Sequence, residues 1–220
     1  MLTKNINFKN FGLKYPIKKI LIHLKNLLKE ENEIIKSLKS NYKDSYSRTM
    51  LNRAKKYNQV IIVGMGGSIL GSRAIHNFLR AKIKKKFIFK DNFDSLKIDP
   101  RNKKSRINLV ISKSGNTLET IANTNVLLNK SQKNIFITEN KKSYLLDLAE
   151  KLKFEVINHN NFIGGRYSVL SEVGMLPAQL MGLNPKKFRR LNSLMTKKNF
   201  FNALVQNVSN TLLLIKKKKY

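Results

Sequence analysis

Between residues 59 and 157, short apolar runs alternate with amphipathic stretches, and this alternation constrains the fold more than any other feature of the chain. Val60-Ile61-Ile62-Val63 reads as a short buried strand closed by Gly64. Phe87-Ile88-Phe89, Ile107 to Ile111, Asn134 to Thr138 and Phe154-Glu155-Val156-Ile157 read as four more. Short apolar runs with Gly and charged flanks favour strand over helix. Helical patterns lie between them, reaching Leu79 after the first strand, then from Asn116 to Leu128 and from Ser143 to Leu152. Strands alternating with helices imply a parallel sheet covered on both faces. The predicted class is α/β, with a five-stranded parallel sheet flanked by helices.

The flanks read as helical. Ile20, Leu21, Leu24, Leu27, Leu28, Ile34, Ile35 and Leu38 recur at helical spacing, predicting one amphipathic helix over residues 17–40 that serves packing. After residue 165, helices are predicted over Glu172 to Met181, Lys186 to Met195 and Asn199 to Ile215. The division that follows is an N-terminal helical segment 1–50, a sheet domain 51–185 and a helical extension 186–220. The last helix runs into Lys216-Lys217-Lys218-Lys219 without a Gly cap or a Pro stop, and its Phe, Leu, Val and Ile need a partner surface. The expectation is an N-terminal portion of a longer fold, poorly soluble alone because of that apolar face.

Composition narrows the function. Hydrophobic residues make up 41%, enough for a sizeable core. The absence of Cys excludes a disulfide framework and a thiolate metal site, and a cytoplasmic protein is expected. His23, His76 and His159 share no ligand-type spacing, so no metal is expected. A net charge of +31 raises polyanion binding as a function. Lys is, however, spread along the whole chain among many Asn and Ile, and the runs Lys84 to Lys86 and Lys216 to Lys219 carry no interleaved aromatics for base stacking. A solvated basic surface is the preferred reading, without nucleic acid as partner. Asn199 to Ile215 contains Asn, Gln, Ser and Thr and falls short of the roughly 18–20 apolar residues of a membrane span. No secretory leader is visible at the N-terminus.

Three loops carry the chemistry. Gly64-Met65-Gly66-Gly67-Ser68-Ile69-Leu70-Gly71 follows a strand and opens a helix. Glycine lets backbone approach a ligand, and the helix start favours an anion or a sugar oxygen. Two nucleotide motifs nearly match. The dinucleotide fingerprint needs Gly where Ile69 stands, with Asp91 available as a ribose acid, and the P-loop needs Lys where Ser72 stands. The second loop, Ser112-Lys113-Ser114-Gly115-Asn116-Thr117, follows the third strand and again precedes a helix. Hydroxyls at 112, 114 and 117 around Gly115 form the donor set that a phosphate needs, and Lys113 adds a positive charge. A simple N-cap would use one hydroxyl, not three. The third stretch, Gly164-Gly165-Arg166-Tyr167-Ser168, holds an Arg on a Gly-Gly turn just before a helix.

With these loops in order, the chain resembles the glucose-6-phosphate isomerase family and, more broadly, sugar isomerase domains. The resemblance rests on Val63-Gly64-Met65-Gly66-Gly67-Ser68 with Leu70-Gly71; on Ile111-Ser112-Lys113-Ser114 with Thr117, Glu119 and Thr120; and on Gly164-Gly165-Arg166-Tyr167-Ser168 with Ser171, Gly174 and Leu176. It spans roughly residues 57 to 185, and the Gly-Gly-Arg-Tyr-Ser stretch is its most specific part. It implies a flavodoxin-like three-layer sandwich. The implied activity is cofactor-free interconversion of glucose 6-phosphate and fructose 6-phosphate by a homodimer, in glycolysis and gluconeogenesis. It assigns Gly67 and Ser68 to the sugar, and Ser112, Lys113, Ser114, Gly115, Asn116 and Thr117 to the phosphate. Arg166 is assigned to the enediolate, and Glu119 to orienting a catalytic His. Where many members have Thr-Phe-Thr, this chain has Ser114-Gly115-Asn116, which admits a dual phosphoglucose/phosphomannose isomerase. The family's Glu-Ser-Asn-Gly-Lys stretch, which supplies the general base, and its later His and Lys are absent from these residues. The isolated polypeptide is therefore expected to bind substrate and turn it over poorly. A non-catalytic sugar-phosphate sensor is the alternative.

Overall fold

The structure, a computed structural model, describes residues 17–93, 105–129, 131–190, 193 and 195–218. The chain divides into two compact units, one over Ser40–Phe188 and one made of the segments before and after it. Residues 40–50 thus belong with the sheet rather than with the first helix.

The sheet unit holds β1 (Gln59–Val63), β2 (Lys86–Lys90), β3 (Arg106–Ile111), β4 (Lys133–Thr138) and β5 (Glu155–Asn158). They form one five-stranded sheet in the order β2-β1-β3-β4-β5, and every neighbouring pair is parallel. Every residue of β1 and β3 is buried, which explains why both are mostly apolar rather than alternating; the buried polar residues of β3 are Arg106 and Asn108. The two faces are still distinct. Val60, Ile62, Ile107, Leu109, Ile111, Ile135 and Ile137 face one core, and Ile61, Val63, Val110 and Phe136 face the other.

Helices cover both faces. The first core is closed by α3 (Arg48–Lys55), α4 (Gly67–Phe78) and α7 (Glu172–Leu180), through Met50, Leu51, Ala54, Ile69, Val173, Leu176 and Leu180. The second is closed by α5 (Leu118–Leu127) and α6 (Tyr144–Lys151), through Leu127, Leu145 and Ala149. β1 is followed by α4 on one face and β3 by α5 on the other, while β1 and β3 are adjacent. The chain therefore leaves these two neighbours in opposite directions, and a crevice opens beyond their carboxyl ends. This is the topological switch point at which open α/β sheets bind ligands.

The helical unit contains α1 (Ile17–Lys29), α2 (Glu33–Ser37) and α9 (Lys198–Lys218), with α1 packed on α9. The single helix expected over 17–40 is two helices. α1 ends at Lys29, before Glu30-Glu31, and Asn32 starts α2 as its N-cap, its Oδ1 accepting the Ile35 N–H at 2.8 Å. Of the helix expected over 186–195, the structure describes α8 (Pro185–Phe188) and helical residues Ser193 and Met195, with 189 and 190 non-helical; 191, 192 and 194 fall outside the described residues. α3 was not anticipated. Ser47 caps it, accepting from Met50 N–H at 3.1 Å, but a single short buried stripe among Arg48, Arg53 and Lys55 leaves little periodicity to detect.

Candidate functional site

The first two loops leave the carboxyl ends of adjacent parallel strands, where Val63 pairs with Val110, so both open on the same crevice. They also touch, since a Cβ on Gly64 would lie 2.8 Å from the Ile111 carbonyl oxygen. α4 and α5 begin there; the Ser68 and Ile69 N–H of α4 bond the Met65 and Gly66 carbonyls at 3.2 and 3.1 Å, while the first-turn amides of α5 lack carbonyl partners within the helix. Two helix N-termini, each carrying partial positive charge, border one opening. Ser68 is half-buried in the first turn of α4.

The 112–117 loop is wound into a tight nest. Gly115 N–H donates to the Ser112 carbonyl at 3.2 Å, and Gly115 takes φ +65°, a conformation that L side chains rarely adopt. The Ser112 and Thr117 hydroxyls are 3.1 Å apart, and Ser114 Oγ lies 3.5 Å from Thr117 Oγ1. The Ser112, Ser114 and Thr117 hydroxyls lie together, Ser114 Oγ also accepting from the Asn116 N–H at 3.3 Å, and Thr117 at the N-cap makes no capping bond to the α5 amides. α6 fixes the back of the nest, with Leu145 N–H donating to the Gly115 carbonyl at 3.0 Å and Tyr144 N–H to Asn116 Oδ1 at 2.9 Å.

Lys113 has a different local duty from the one its sequence position implies. Its ammonium lies 3.0 Å from Glu139 and donates to the Asn161 carbonyl at 2.8 Å. It ties the second loop to the segment that leads into the third. That third stretch is a 3₁₀ turn, Gly165–Leu170. It lies directly on the first loop: a Cβ on Gly67 would fall 2.1 Å from the Gly165 carbonyl oxygen, and Ser168 Oγ bonds the carbonyls of Gly165 and Gly67 at 2.8 and 3.3 Å. All three loops are thus brought together at one end of the sheet. Arg166 is exposed, and its guanidinium has no partner among the described residues. Glu119, in the first turn of α5, is half-buried and likewise has none.

One buried group at the site escaped the sequence. His159 and Glu172 are almost fully enclosed, with His159 Nδ1 2.5 Å from Glu172 Oε1 and His159 Nε2 3.1 Å from the Ile163 carbonyl. Lone His and Glu residues thirteen positions apart carry no spacing signal. Glu172 alone resembles an ordinary acidic first turn.

The competing motifs find little support. Asp91, the candidate ribose acid, is 2.7 Å from Arg73, whose hydrogen bond holds the Asp91 carboxyl below the usual range. Arg73 also lies over the Phe89 ring. In the Lys84 to Lys86 run, the Lys85 ammonium donates to the carbonyls of Lys55 and Tyr57, and burial pushes its pKa down. His76 packs on Phe87 and Phe89 and bonds Arg80 at 2.9 Å. Among the described residues no cluster of His, Cys, Asp or Glu is arranged for a metal, and no helix is long and apolar enough to cross a membrane.

Comparison with known proteins agrees with this geometry. The family model for phosphoglucose isomerase matches residues 13–216. The glucose-6-phosphate isomerase of Methanocaldococcus jannaschii is 34% identical over 142 residues, covering 60% of this chain and 35% of that protein. That of Mycoplasma genitalium is 31% identical over 198 residues, covering 83% of this chain and 42% of that protein. A hypothetical protein of Thermus thermophilus superimposes with a TM-score of 0.67 at 21% identity, over 91% of this chain and 52% of its own. The chain therefore spans less than half the length of these two curated relatives. With the match running through both units and the three loops in the family's order around one crevice, the chain belongs to the phosphoglucose isomerase family.

Proposed function

We propose that this chain supplies the phosphate anchor and the enediolate-stabilising arginine of a glucose-6-phosphate isomerase. The single observation that carries the reading is the convergence of the three loops at the β1/β3 switch point. The nest of Ser112, Ser114, Gly115, Asn116 and Thr117 takes the phosphate, through hydroxyls and the first-turn amides of α5. Lys113 lends its charge from the rim while bridging to Glu139 and Asn161. Gly67 and Ser68 meet the sugar at the start of α4.

The reaction moves a proton between C2 and C1 of the open sugar while the carbonyl shifts the other way. Negative charge grows on oxygen in the transition state, where a preorganised donor has most effect. Arg166 is that donor. Its guanidinium is always charged and stands unengaged beside the turn that touches Gly67. Glu119, in the first turn of α5, orients a catalytic histidine in this reading. Phosphate binding, remote from the reacting carbons, holds them in register. The proton-transferring base comes from sequence beyond these residues, and the homodimer and cytoplasmic location implied by the family belong to the same proposal.

The test is calorimetric. Glucose 6-phosphate should bind the 220-residue polypeptide, and Ser112→Ala with Thr117→Val should weaken binding by roughly ten- to a hundredfold, the effect of losing charge-assisted hydrogen bonds. Glucose binding as well as glucose 6-phosphate, or an unchanged affinity in the double variant, would refute the anchor.

A further inference from the structure

Arg166 is exposed and its side chain has no partner among the described residues, so whatever fixes the backbone of residues 160–171 sets where that side chain starts and what its guanidinium can reach. This excursion leaves β5 and returns in α7. Its two ends are joined by His159 and Glu172, which are 2% and 1% exposed. The His159 N–H donates to the Thr138 carbonyl at 2.8 Å, which secures that end to β4. Glu172 stands in the first turn of α7, among Val173 and Leu176 of the sheet core. The pair therefore links the carboxyl edge of the sheet to the start of a core helix, across the base of the excursion that carries Gly164, Gly165 and Arg166.

Glu172 Oε1 receives both His159 Nδ1 at 2.5 Å and the Asn160 N–H at 3.2 Å, while His159 Nε2 meets the Ile163 carbonyl at 3.1 Å. A carbonyl can only accept, so Nε2 carries a proton, and a second proton lies between Nδ1 and the carboxyl. One carboxyl oxygen and one imidazole thus hold residues 159, 160, 163 and 172 together, ending one residue before Gly164. An apolar pair of the same volume often stabilises a core as well or better, so net stability is a weak reason for a buried His–Glu pair.

We propose that the His159–Glu172 pair is a positioning device that holds the 160–171 excursion in the register delivering Arg166 to the crevice. The inference rests on the role given to Arg166 above. Other contacts, from Lys113 to the Asn161 carbonyl and from Ser168 to the Gly67 carbonyl, keep the excursion attached when the pair is lost, so losing it shifts the arginine rather than releasing the loop.

Two probes separate the effects on the 220-residue chain. Inorganic phosphate reads the nest alone. 6-Phosphogluconate carries a carboxylate where the enediolate oxygens develop, so the ratio of the two affinities reads Arg166. In Glu172→Gln the amide either turns its NH2 to a neutral Nδ1 and leaves the Asn160 N–H without its acceptor, or keeps its oxygen there beside a charged imidazole with no counter-ion, so one bond is lost in the first case and the charge pairing in the second. His159→Asn removes the same connection from the other side. Each should lower the preference for 6-phosphogluconate about tenfold, with phosphate affinity unchanged. In an Arg166→Ala background neither should lower it further, because the residues act as one unit. Leu180→Ala, at the far end of α7, supplies a variant destabilised without loss of the pair and should keep the preference. If Arg166→Ala lowers the preference while both pair variants keep it, or if the losses add, the positioning role is overturned. If Arg166→Ala itself changes nothing, the role of Arg166 falls and the positioning device falls with it.

Discussion

Gly115→Ala is the most direct test of the phosphate nest, because two separable penalties meet at that residue. The first is conformational. Gly115 sits at φ +65°, and a residue with a Cβ loses roughly 1–2 kcal/mol in left-handed backbone. The second is steric. The new Cβ would lie 2.1 Å from Ser143 Oγ, 2.7 Å from Ser143 Cβ and 3.1 Å from Thr138 Oγ1. The hydroxyl can rotate away, but Ser143 Cβ moves only with the backbone that starts α6. Overpacking of this kind costs about 1–3 kcal/mol. Together they predict a loss of about 2–5 kcal/mol in urea denaturation at constant m. Gly115 also accepts from Leu145 N–H and donates to the Ser112 carbonyl, so displacement carries the hydroxyls at 112, 114 and 117 with it, and phosphate affinity should fall in parallel. Adding Ser143→Gly removes both clashing atoms. Ser143 makes no capping bond and its Oγ has no partner among the described residues, so its own loss costs only a few tenths of a kcal/mol. The double variant should return to within about 1–2 kcal/mol of the wild type, the conformational penalty alone, and regain phosphate affinity. A loss below about 0.5 kcal/mol for Gly115→Ala, or a double variant no better than the single one, would refute this account of the nest.

Three further outcomes are expected. Gly67→Ala places a Cβ against the backbone of Gly165, where nothing can rotate aside, so glucose 6-phosphate affinity should fall while inorganic phosphate affinity stays within about twofold; equal losses would show that the 64–71 and 164–168 loops do not act on the sugar. In a full-length enzyme Arg166→Ala should lower kcat by about 10²–10³-fold, the usual effect of losing one oxyanion donor, and an unchanged kcat would remove Arg166 from the mechanism. Asp91, held below its usual pKa by Arg73, binds fewer protons folded than unfolded on the acid side. Its stabilising contribution is therefore present above the unfolded value near about pH 4 and is lost as pH falls through the lower folded value. Urea midpoints at neutral pH and below that range should diverge less for Asp91→Asn than for the wild type, and identical slopes would refute the assignment.

How much of this was legible in the sequence depends on how far apart the partners lie. The strands were readable because β1 and β3 are buried on both faces and are mostly apolar, Val60 to Val63 without a break and Ile107 to Ile111 broken only by Asn108. The nest was readable because its donors sit within six consecutive residues after a strand. Its finer geometry was not. Lys113 reads locally as a phosphate cation, yet its bonds go to Glu139 and Asn161, and Ser168 bonds a residue more than a hundred positions earlier. α3 and the break before α2 were missed because a capping Ser or Asn is a weak signal beside a dense Lys/Arg background.

Topology explains why the third loop needs more support than the other two. Parallel strands all end at the same edge, so any loop that directly follows β1 or β3 is delivered to the switch point without further help. The 164–168 turn follows β5, at the far side of the sheet, with β4 and β3 between it and β1. Three strand spacings of about 4.8 Å put its origin roughly 14 Å from the start of α4. To bring Arg166 beside Gly67, the chain has to run back across the carboxyl edge as irregular backbone. Such a path has no strand or helix to define it, and its contacts define it instead: His159 to Glu172 at its base, Lys113 to Asn161 along its course and Gly165 against Gly67 at its end. Its length and the buried pair at its base thus have a common cause in the strand order, which places the arginine's loop and the phosphate nest on strands that are not neighbours.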